Sequence, residues 1–215
     1  MKRFSLLFAA LLTLLLPGAA PAHAATLTDQ DRADVARIET YLNSFRTMSG
    51  RFLQVGADGL SSEGKVWLSR PGRMRFEYDP PVPILVVGDG TFVIFHDKEL
   101  GQIDRIPLGA TPLAFILRDE VKLSGSAADK VAVDKVERQR GLLRITLLDT
   151  ARPKEGRLTL TFSDGPLTLR QWQVIDAQGK ATNITLNDLA LNETLPGRLF
   201  VFIDPTPRGG NSGGR

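Results

Sequence analysis

Residues 63–76 read EGKVWLSRPGRMRF, two short runs separated by a proline and a glycine. In the first run Val66 and Leu68 alternate with other residues, and in the second Met74 and Phe76 alternate with arginines. A period of two is typical of β-strands, because successive side chains point to opposite faces of a sheet. The stretch therefore predicts two strands, each with two different faces.

An arginine shares the apolar face of these strands. The residues in the common, even register are Val66, Leu68, Arg70, Met74, Phe76 and Tyr78, and regular strands would point them all one way. A buried guanidinium offers five donors and keeps its charge, so it needs acceptors such as the unpaired carbonyls at the end of a helix. The alternative is an ordinary, exposed arginine at a strand end before Pro71.

The region before this stretch predicts a helix. Apolar residues recur at helical intervals from Val35 to Phe45, and Thr28 and Asp31 have the spacing of a capping box. We expect this helix to run from about Thr28 to Arg46, and Ser49-Gly50 to end it.

The region after the stretch predicts further strands and one short apolar helix. Residues 84–87 and 92–95 flank Gly88-Asp89-Gly90, a hairpin signal. Thr111-Pro112 predicts a helix start, with threonine as the cap and proline at the first position. The residues assigned to this helix are Leu113, Phe115, Ile116 and Leu117.

The second half of the chain returns to a period of two. The alternating apolar residues include Leu143, Ile145, Leu158, Leu160 and Phe162. Strands are also predicted from about Leu167 to Ile175, over 182–186, and from Leu199 to Ile203. The pattern indicates a mainly β fold, a long antiparallel meander with two or three short helices. Periodicity alone leaves open whether it forms a curved sheet closed by the helices or a two-sheet sandwich.

The first residues predict export. Lys2 and Arg3 precede an apolar run that is short for a bilayer span, and Ala22-His23-Ala24 has the small residues of a cleavage site. We expect residues 1–24 to be a signal peptide, 25–206 one domain and 207–215 a disordered, Gly-rich tail. A retained membrane anchor is the alternative reading of the leader.

Composition excludes several classes of function. The chain has no cysteine, which removes disulfides, thiol chemistry and a lipidated N-terminal cysteine. Cleavage of the leader leaves 25 basic and 24 acidic side chains, and these are interleaved, so we discount nucleic acid as a partner. His96 is the one histidine left, in what we interpret as a solvated hairpin turn. The G-x-S-x-G elbow of serine hydrolases does not occur in the sequence. We therefore expect no enzymatic activity, no metal site and no cofactor.

The quoted segment, with its G-x-x-W-x-x-R-P core, resembles the signature of LolA-type periplasmic lipoprotein carriers. Residues 84–90 (ILVVGDG), 93–97 (VIFHD) and 111–113 (TPL) follow in that family's order and spacing. The resemblance covers roughly residues 28–206. It implies an unclosed antiparallel β barrel, or strongly curved sheet, whose short helices form a lid over an apolar cavity for lipoprotein acyl chains.

The resemblance also implies roles for residues and partners. Arg70 would latch the lid while the carrier is empty. The lid residues would be Leu113, Phe115, Ile116 and Leu117, and the cavity would be lined by Val66, Leu68, Met74, Phe76, Tyr78, Leu143, Ile145, Leu158, Leu160 and Phe162. The protein would act as a periplasmic monomer, loaded by an inner-membrane ABC exporter and unloaded at an outer-membrane receptor.

Two questions stay open at the level of sequence. Inward residues of a strand look the same whether they line a cavity or fill a core. A lipid- or lipoprotein-sensing module of envelope stress signalling, or a carrier of another lipid, would keep the same fold.

Overall fold

A computed structural model describes residues 27–124, 130–154 and 156–205. The predicted signal peptide and the Gly-rich tail lie outside these residues. Within them, one α-helix, α1, spans Asp29–Asn43 and precedes the strands. The strands are β1 Thr47–Val55, β2 Ser61–Ser69, β3 Arg73–Tyr78, β4 Ile84–Asp89, β5 Phe92–Asp97, β6 Gln102–Pro107, β7 Val131–Gln139, β8 Leu142–Asp149, β9 Gly156–Ser163, β10 Thr168–Asp176 and β11 Ala181–Leu191.

All eleven strands belong to one antiparallel sheet, in the order β6-β5-β4-β3-β2-β1-β11-β10-β9-β8-β7. Strands that pair in the sheet are consecutive in the sequence except at the centre, where β1 pairs with β11. In the described part of the chain β6 and β7 are the edges, so the sheet is not closed. The prediction of a mainly β, unclosed antiparallel sheet is confirmed, and the sandwich alternative is wrong.

The register places the predicted inward residues on one face. Val66 lies opposite Phe76 and Leu68 opposite Met74 across β2 and β3. Across β8 and β9, Ile145 lies opposite Leu160, and the same face continues to Leu143 and Phe162. These side chains join one buried apolar cluster that also contains Val35, Ile38 and Leu42 of α1. The core therefore lies between the concave face of the sheet and α1.

Gly64 on β2 allows two neighbours to approach this face. A Cβ at this position would overlap the Glu77 carbonyl oxygen and would come within 2.7 Å of the Phe52 ring. Phe52 lies opposite Gly64 and packs edge-on against Phe76 at 5.2 Å. Glycine here is a packing requirement of the concave face.

The predicted start of α1 is confirmed. The Thr28 hydroxyl accepts a hydrogen bond from the Asp31 N–H at 3.1 Å, and the Asp31 carboxylate accepts one from the Thr28 N–H at 2.8 Å. The predicted end is wrong, because the helix stops at Asn43 and Ser49-Gly50 lie inside β1. Pairing with both β2 and β11 gives the backbone from Thr47 onward two sets of ladder bonds, which outweighs helical propensity in this region.

The predicted helix at Thr111-Pro112 is also corrected. The chain forms two short 3-10 turns, Leu108–Ala110 and Pro112–Phe115. Proline does occupy the first position, but the Thr111 hydroxyl donates to the Leu108 carbonyl at 2.8 Å instead of capping the turn. Phe115, Ile116 and Leu117 are all buried. Three consecutive inward side chains do not fit on one stripe of an α-helix.

The last predicted strand, from Leu199 to Ile203, is wrong. Gly197–Phe200 forms a 3-10 turn against the outer face of β3 and β4, and residues 201–205 follow without strand pairing. We call residues 197–205 the C-terminal segment. Phe200 is 3% exposed under the Arg73 guanidinium, and Arg105 of β6 pairs with Asp204 at 2.9 Å. Side-chain packing on a sheet face thus takes the place of a strand ladder.

Candidate functional site

The apolar interior is the candidate site. Of the ten residues predicted to line a cavity, nine are between 0% and 6% exposed, and Tyr78 is half-buried against them. Their own side chains occupy the space between the sheet and α1. The structure thus brings all ten predicted wall residues together, and their part in binding a ligand stays a prediction.

Two pieces of chain cover this interior, α1 and residues 108–124, and together we call them the lid. Phe115, Ile116 and Leu117 are 6% exposed or less, and Leu113 packs against the same cluster. An open groove of about 840 Å³ lies beside the 108–118 stretch, and its lining includes Phe115 and Leu117 as well as Gly72 and Asp149. All four predicted lid residues therefore lie in the cover over the concave face.

Arg70 connects the sheet to the lid. Its side chain is 6% exposed at the end of β2, and Nη2 donates to the carbonyl oxygens of Leu42 and Phe45. These carbonyls belong to the last turn of α1 and the residues after it, where helical partners run out. The Arg70 guanidinium also lies 5.1 Å from the centre of the Phe45 ring. The predicted kind of acceptor is present, but α1 supplies it and the 112–117 stretch does not.

The surroundings of Arg70 leave its charge poorly compensated. Burial lowers the pKa of Arg70, nearby Arg46 lowers it further, and Asp119 opposes both effects. Among the described residues, Nε of Arg70 is buried with no hydrogen-bond partner. A buried donor without an acceptor destabilises the state that contains it. The closed arrangement therefore includes a local cost at this residue.

The turn that follows Arg70 holds the other part of the lid. The Gly72 N–H donates to the Leu117 carbonyl at 2.7 Å. Gly72 has φ +73, and a Cβ there would come within 2.9 Å of the Gly90 Cα, so only glycine fits comfortably. The β2–β3 turn thus bonds to both α1 and the 108–124 stretch. The second bond was missed, although Pro71-Gly72 is a sequence signal for such a turn.

The two parts of the lid are also bonded to each other. The Asn43 side-chain amide donates to the Val121 carbonyl and accepts from the Val121 N–H, both at 2.9 Å. Glu39 accepts from the Ser124 N–H at 2.7 Å. The C-terminal half of α1 and residues 121–124 therefore form one unit.

Tyr78 lies where the buried face meets the open end of the sheet. Its hydroxyl donates to Oε1 of Gln54 at 2.6 Å, and its ring packs edge-on against Phe52 at 5.0 Å. Burial raises the pKa of Tyr78 to about 12, and the bond to Gln54 opposes this shift. The one polar atom of this wall position is therefore a neutral, hydrogen-bonded hydroxyl at physiological pH.

His96 lies away from the interior, on the outer face of β5. It is 8% exposed, and its ring packs edge-on against Phe202 of the C-terminal segment at 5.5 Å. The interpretation of His96 as a solvated turn residue is wrong, because the C-terminal segment covers it.

In the described ranges no group of three or more potential ligands surrounds a metal position, and no helix there has the length and apolarity to cross a membrane.

Comparison with known proteins places the chain in a family. The sequence model described as "Outer membrane lipoprotein carrier protein LolA" matches residues 43–203. The outer-membrane lipoprotein carrier protein of Pseudomonas aeruginosa (strain UCBPP-PA14) is 32% identical over 95% of this chain and 96% of its own length. That of Dechloromonas aromatica (strain RCB) is 29% identical over 80% of this chain and 84% of its own.

A solved structure is similar as well. The crystal structure of a LolA superfamily protein from Nitrosomonas europaea covers 78% of this chain and 97% of its own, at 9% identity and a TM-score of 0.40. The family assignment rests on the sequence matches, which extend over most of the strands and over Arg70. The chain belongs to the LolA family of outer membrane lipoprotein carrier proteins.

Proposed function

We propose that this chain is a periplasmic carrier that binds the acyl chains of lipoproteins between the concave sheet face and the lid, and delivers them to the outer membrane. The names of its relatives support this role. The observation that carries it is Arg70, a buried cation that ties an apolar interior to the end of a cover helix. Such a residue suits a cover that has to open, and it is less suited to a permanent core.

The apolar wall supplies the attraction for cargo. Each buried methylene contributes about 0.8 kcal/mol, so an acyl chain of roughly fifteen methylenes gains on the order of 12 kcal/mol. The wall residues and the lid already fill this space in the closed form. An acyl chain therefore has to displace the lid before it reaches the wall.

The closing device makes release possible. A site that bound an acyl chain with the full free energy of burial would not release it. A lid that prefers the empty, closed state reduces the net free energy of binding. Entry of a chain breaks the bonds from Arg70 to Leu42 and Phe45, which couples loading to opening.

The partners proposed for this cycle are those that the family resemblance implies. An inner-membrane ABC exporter would supply the free energy for loading, and an outer-membrane receptor with a more apolar site would accept the cargo. The carrier itself would act as a monomer in the periplasm, and its work would be binding, with no catalytic step.

The test is co-production with a lipoprotein in a Gram-negative host, followed by purification from the periplasm and native mass spectrometry. We expect the acylated lipoprotein to copurify with the carrier. The matched control is the same cargo with serine in place of its acylated cysteine, which should not copurify. If neither lipoprotein nor lipid accompanies the carrier, the proposed function is wrong.

A further inference from the structure

The open groove beside the 108–118 stretch has an excess of positive charge. Its volume is about 840 Å³. Its described lining contains three basic side chains, those of Arg118, Lys130 and Arg152, and one carboxylate, that of Asp149. Basic and acidic side chains nearly balance over the chain as a whole, 27 against 24. The excess in the groove is therefore a local feature.

Pairing of β7 with β8 brings two of these cations together. Lys130 directly precedes β7, and its carbonyl accepts a hydrogen bond from the Thr150 N–H at 3.1 Å. Arg152 lies two residues further along, where its Nη2 donates to the Gly109 carbonyl and, at 3.0 Å, to Asp149. The turn after β8 thus places Arg152 beside Lys130 and fixes it to the 108–118 stretch.

The third cation lies over an apolar floor. The Arg118 guanidinium is 5.5 Å from the centre of the Phe115 ring. Phe115 and Leu117, which also line the groove, are 6% and 2% exposed and belong to the core cluster, whereas Lys130 is exposed. The groove therefore presents cations at the protein surface and apolar side chains beneath them.

The carboxylates that follow Arg118 in the sequence have partners elsewhere. Asp119 pairs with Arg46 of the α1–β1 connection, and Glu120 pairs with Lys122 at 3.1 Å. Neither carboxylate lines the groove. These two acidic residues therefore do not offset the charge of its lining.

We propose that the groove binds the phosphate headgroup of an anionic phospholipid in a bilayer, with its cations on the phosphate and its apolar floor against the first methylenes of the acyl chains. Arginine and lysine bind phosphate oxygens by charge-assisted hydrogen bonds, and clusters of basic side chains are attracted to anionic bilayers. An inorganic anion would leave Phe115 and Leu117 unused. The proposal concerns membrane lipid and not the cargo, so it holds or fails independently of the proposed function.

Headgroup binding at this place would set the orientation of the protein at a membrane. Residues 108–118 form one wall of the groove and part of the lid, so the lid would face the bilayer surface. The hydrogen bond from Gly72 to Leu117, which holds this stretch, borders the same groove.

Vesicle flotation tests the site with the purified protein. The vesicles contain phosphatidylcholine alone or an equimolar mixture of phosphatidylcholine and phosphatidylglycerol. We expect binding to the mixed vesicles, and Lys130→Gln and Arg118→Gln should each weaken it about fivefold, the factor expected for one basic side chain at an anionic bilayer. Arg140→Gln is the matched control and should have little effect, since Arg140 is exposed at the opposite end of β7, roughly 30 Å from Lys130.

A fluorescent probe locates the contact on the protein. The chain has no cysteine, so a cysteine introduced at exposed Thr91, which lines the groove, can carry the environment-sensitive NBD group. Exposed Gln139, at the far end of β7, serves as the reference position. With mixed vesicles the emission of the probe should shift to the blue at Thr91 and stay in place at Gln139.

Three results would overturn the headgroup site. The first is equal binding, or none, to vesicles with and without phosphatidylglycerol. The second is an effect of Arg140→Gln as large as that of Lys130→Gln, or no shift of the probe at Thr91, which would indicate general attraction without a site. The third is release of the protein from the vesicles by inorganic phosphate but not by chloride at the same ionic strength, which would assign the groove to a free anion.

Discussion

Arg70 shows how one residue can hold a cover without making it permanent. Its closest bonds go to the main-chain carbonyls of Leu42 and Phe45, a longer one of 3.5 Å goes to the side-chain oxygen of Asn43, and its charge has no carboxylate partner at bonding distance among the described residues. A carboxylate partner would make the closed state much harder to leave. The residue thus suits a contact that is made and broken in every cycle.

We predict that Arg70→Leu still loads with lipopeptide but transfers it more slowly to acceptor liposomes. Hydrogen bonds from a charged group contribute about 1.5–3 kcal/mol, so losing them should favour the open, loaded form by roughly tenfold or more. Transfer is followed by fluorescence of a labelled lipopeptide, and the control is Arg140→Met, which changes an exposed arginine in the turn between β7 and β8. Transfer at the parent rate would mean that Arg70 is not a latch.

The sequence predicted the burial of some side chains and missed that of others. The even register that Arg70 shares with Val66 and Met74 was enough to place it on the apolar face, because strands alternate strictly. Asp34 was missed. It stands in the charged run DQDRAD at 29–34, which has the composition of an exposed helix face, and its burial depends on Arg138 far along the chain. No local pattern contains that contact.

Among the helices and strands, those strands with clear alternation were predicted well. The ends of the two parts of the lid were predicted poorly. β2, β3, β8 and β9 each have one apolar face, and each lies where the pattern placed it. The sequence predicts Ser49-Gly50 as the end of the helix, whereas both residues lie in β1, because Met48-Ser49-Gly50 breaks the alternation of a strand. The C-terminal segment has the apolar residues of a strand, but it packs on the outer face of the sheet instead of pairing at an edge.

We predict that Phe200→Ala lowers the free energy of unfolding by about 3 kcal/mol, as expected for removal of a buried phenylalanine. Phe200 lies on the outer face with Val87 and Ile94, which are buried outside the main core cluster. Ile203→Ala is the matched control, because Ile203 is 83% exposed, and it should change little. Denaturant unfolding measures both. Equal effects of the two changes would show that Phe200 does not anchor the segment.

For the fold as a whole, the sequence predicted the class of architecture. It did not predict that the apolar residues of the concave face fill the interior under the lid. Alternation and the family resemblance led to an unclosed antiparallel sheet, which the structure has. Whether the inward residues line a space or fill one depends on where the lid rests. That position is set by contacts such as Gly72 to Leu117 and Asn43 to Val121, which join residues distant in sequence and leave no periodic signal.

Acid should loosen the molecule at the N-terminal end of α1. Hydrogen bonds from Thr28 and Arg138 lower the pKa of Asp31 from 3.8 to about 2, and the pKa of Asp34 is lowered as well. A carboxyl group whose pKa is lowered in the folded state stabilises that state at pH values above its ordinary pKa. This contribution is lost as the pH falls through the lowered pKa. The ion pairs of Arg138 with Asp31 at 2.8 Å and with Asp34 at 2.6 Å should therefore persist at neutral and mildly acidic pH.

The measurement is the thermal midpoint as a function of pH for the parent and for Arg138→Met. The parent should lose stability between pH 3.8 and about 2, and the variant should lose less over that range because its carboxylates have one cation fewer. Parallel profiles would contradict the assignment of this acid sensitivity to the Asp31, Asp34 and Arg138 cluster.

The pairing of β1 with β11 at the centre of the sheet has a consequence for how the chain folds. The two halves, β1 to β6 and β7 to β11, are each built from neighbouring hairpins and close over short loops. Joining them brings Phe52 beside Leu186, residues near opposite ends of the described chain. Loop-closure entropy and contact order make such a contact the slow one. Until β11 has been made and delivered, one edge of β1 stays open, and we expect the middle of the finished sheet to be the last part to form.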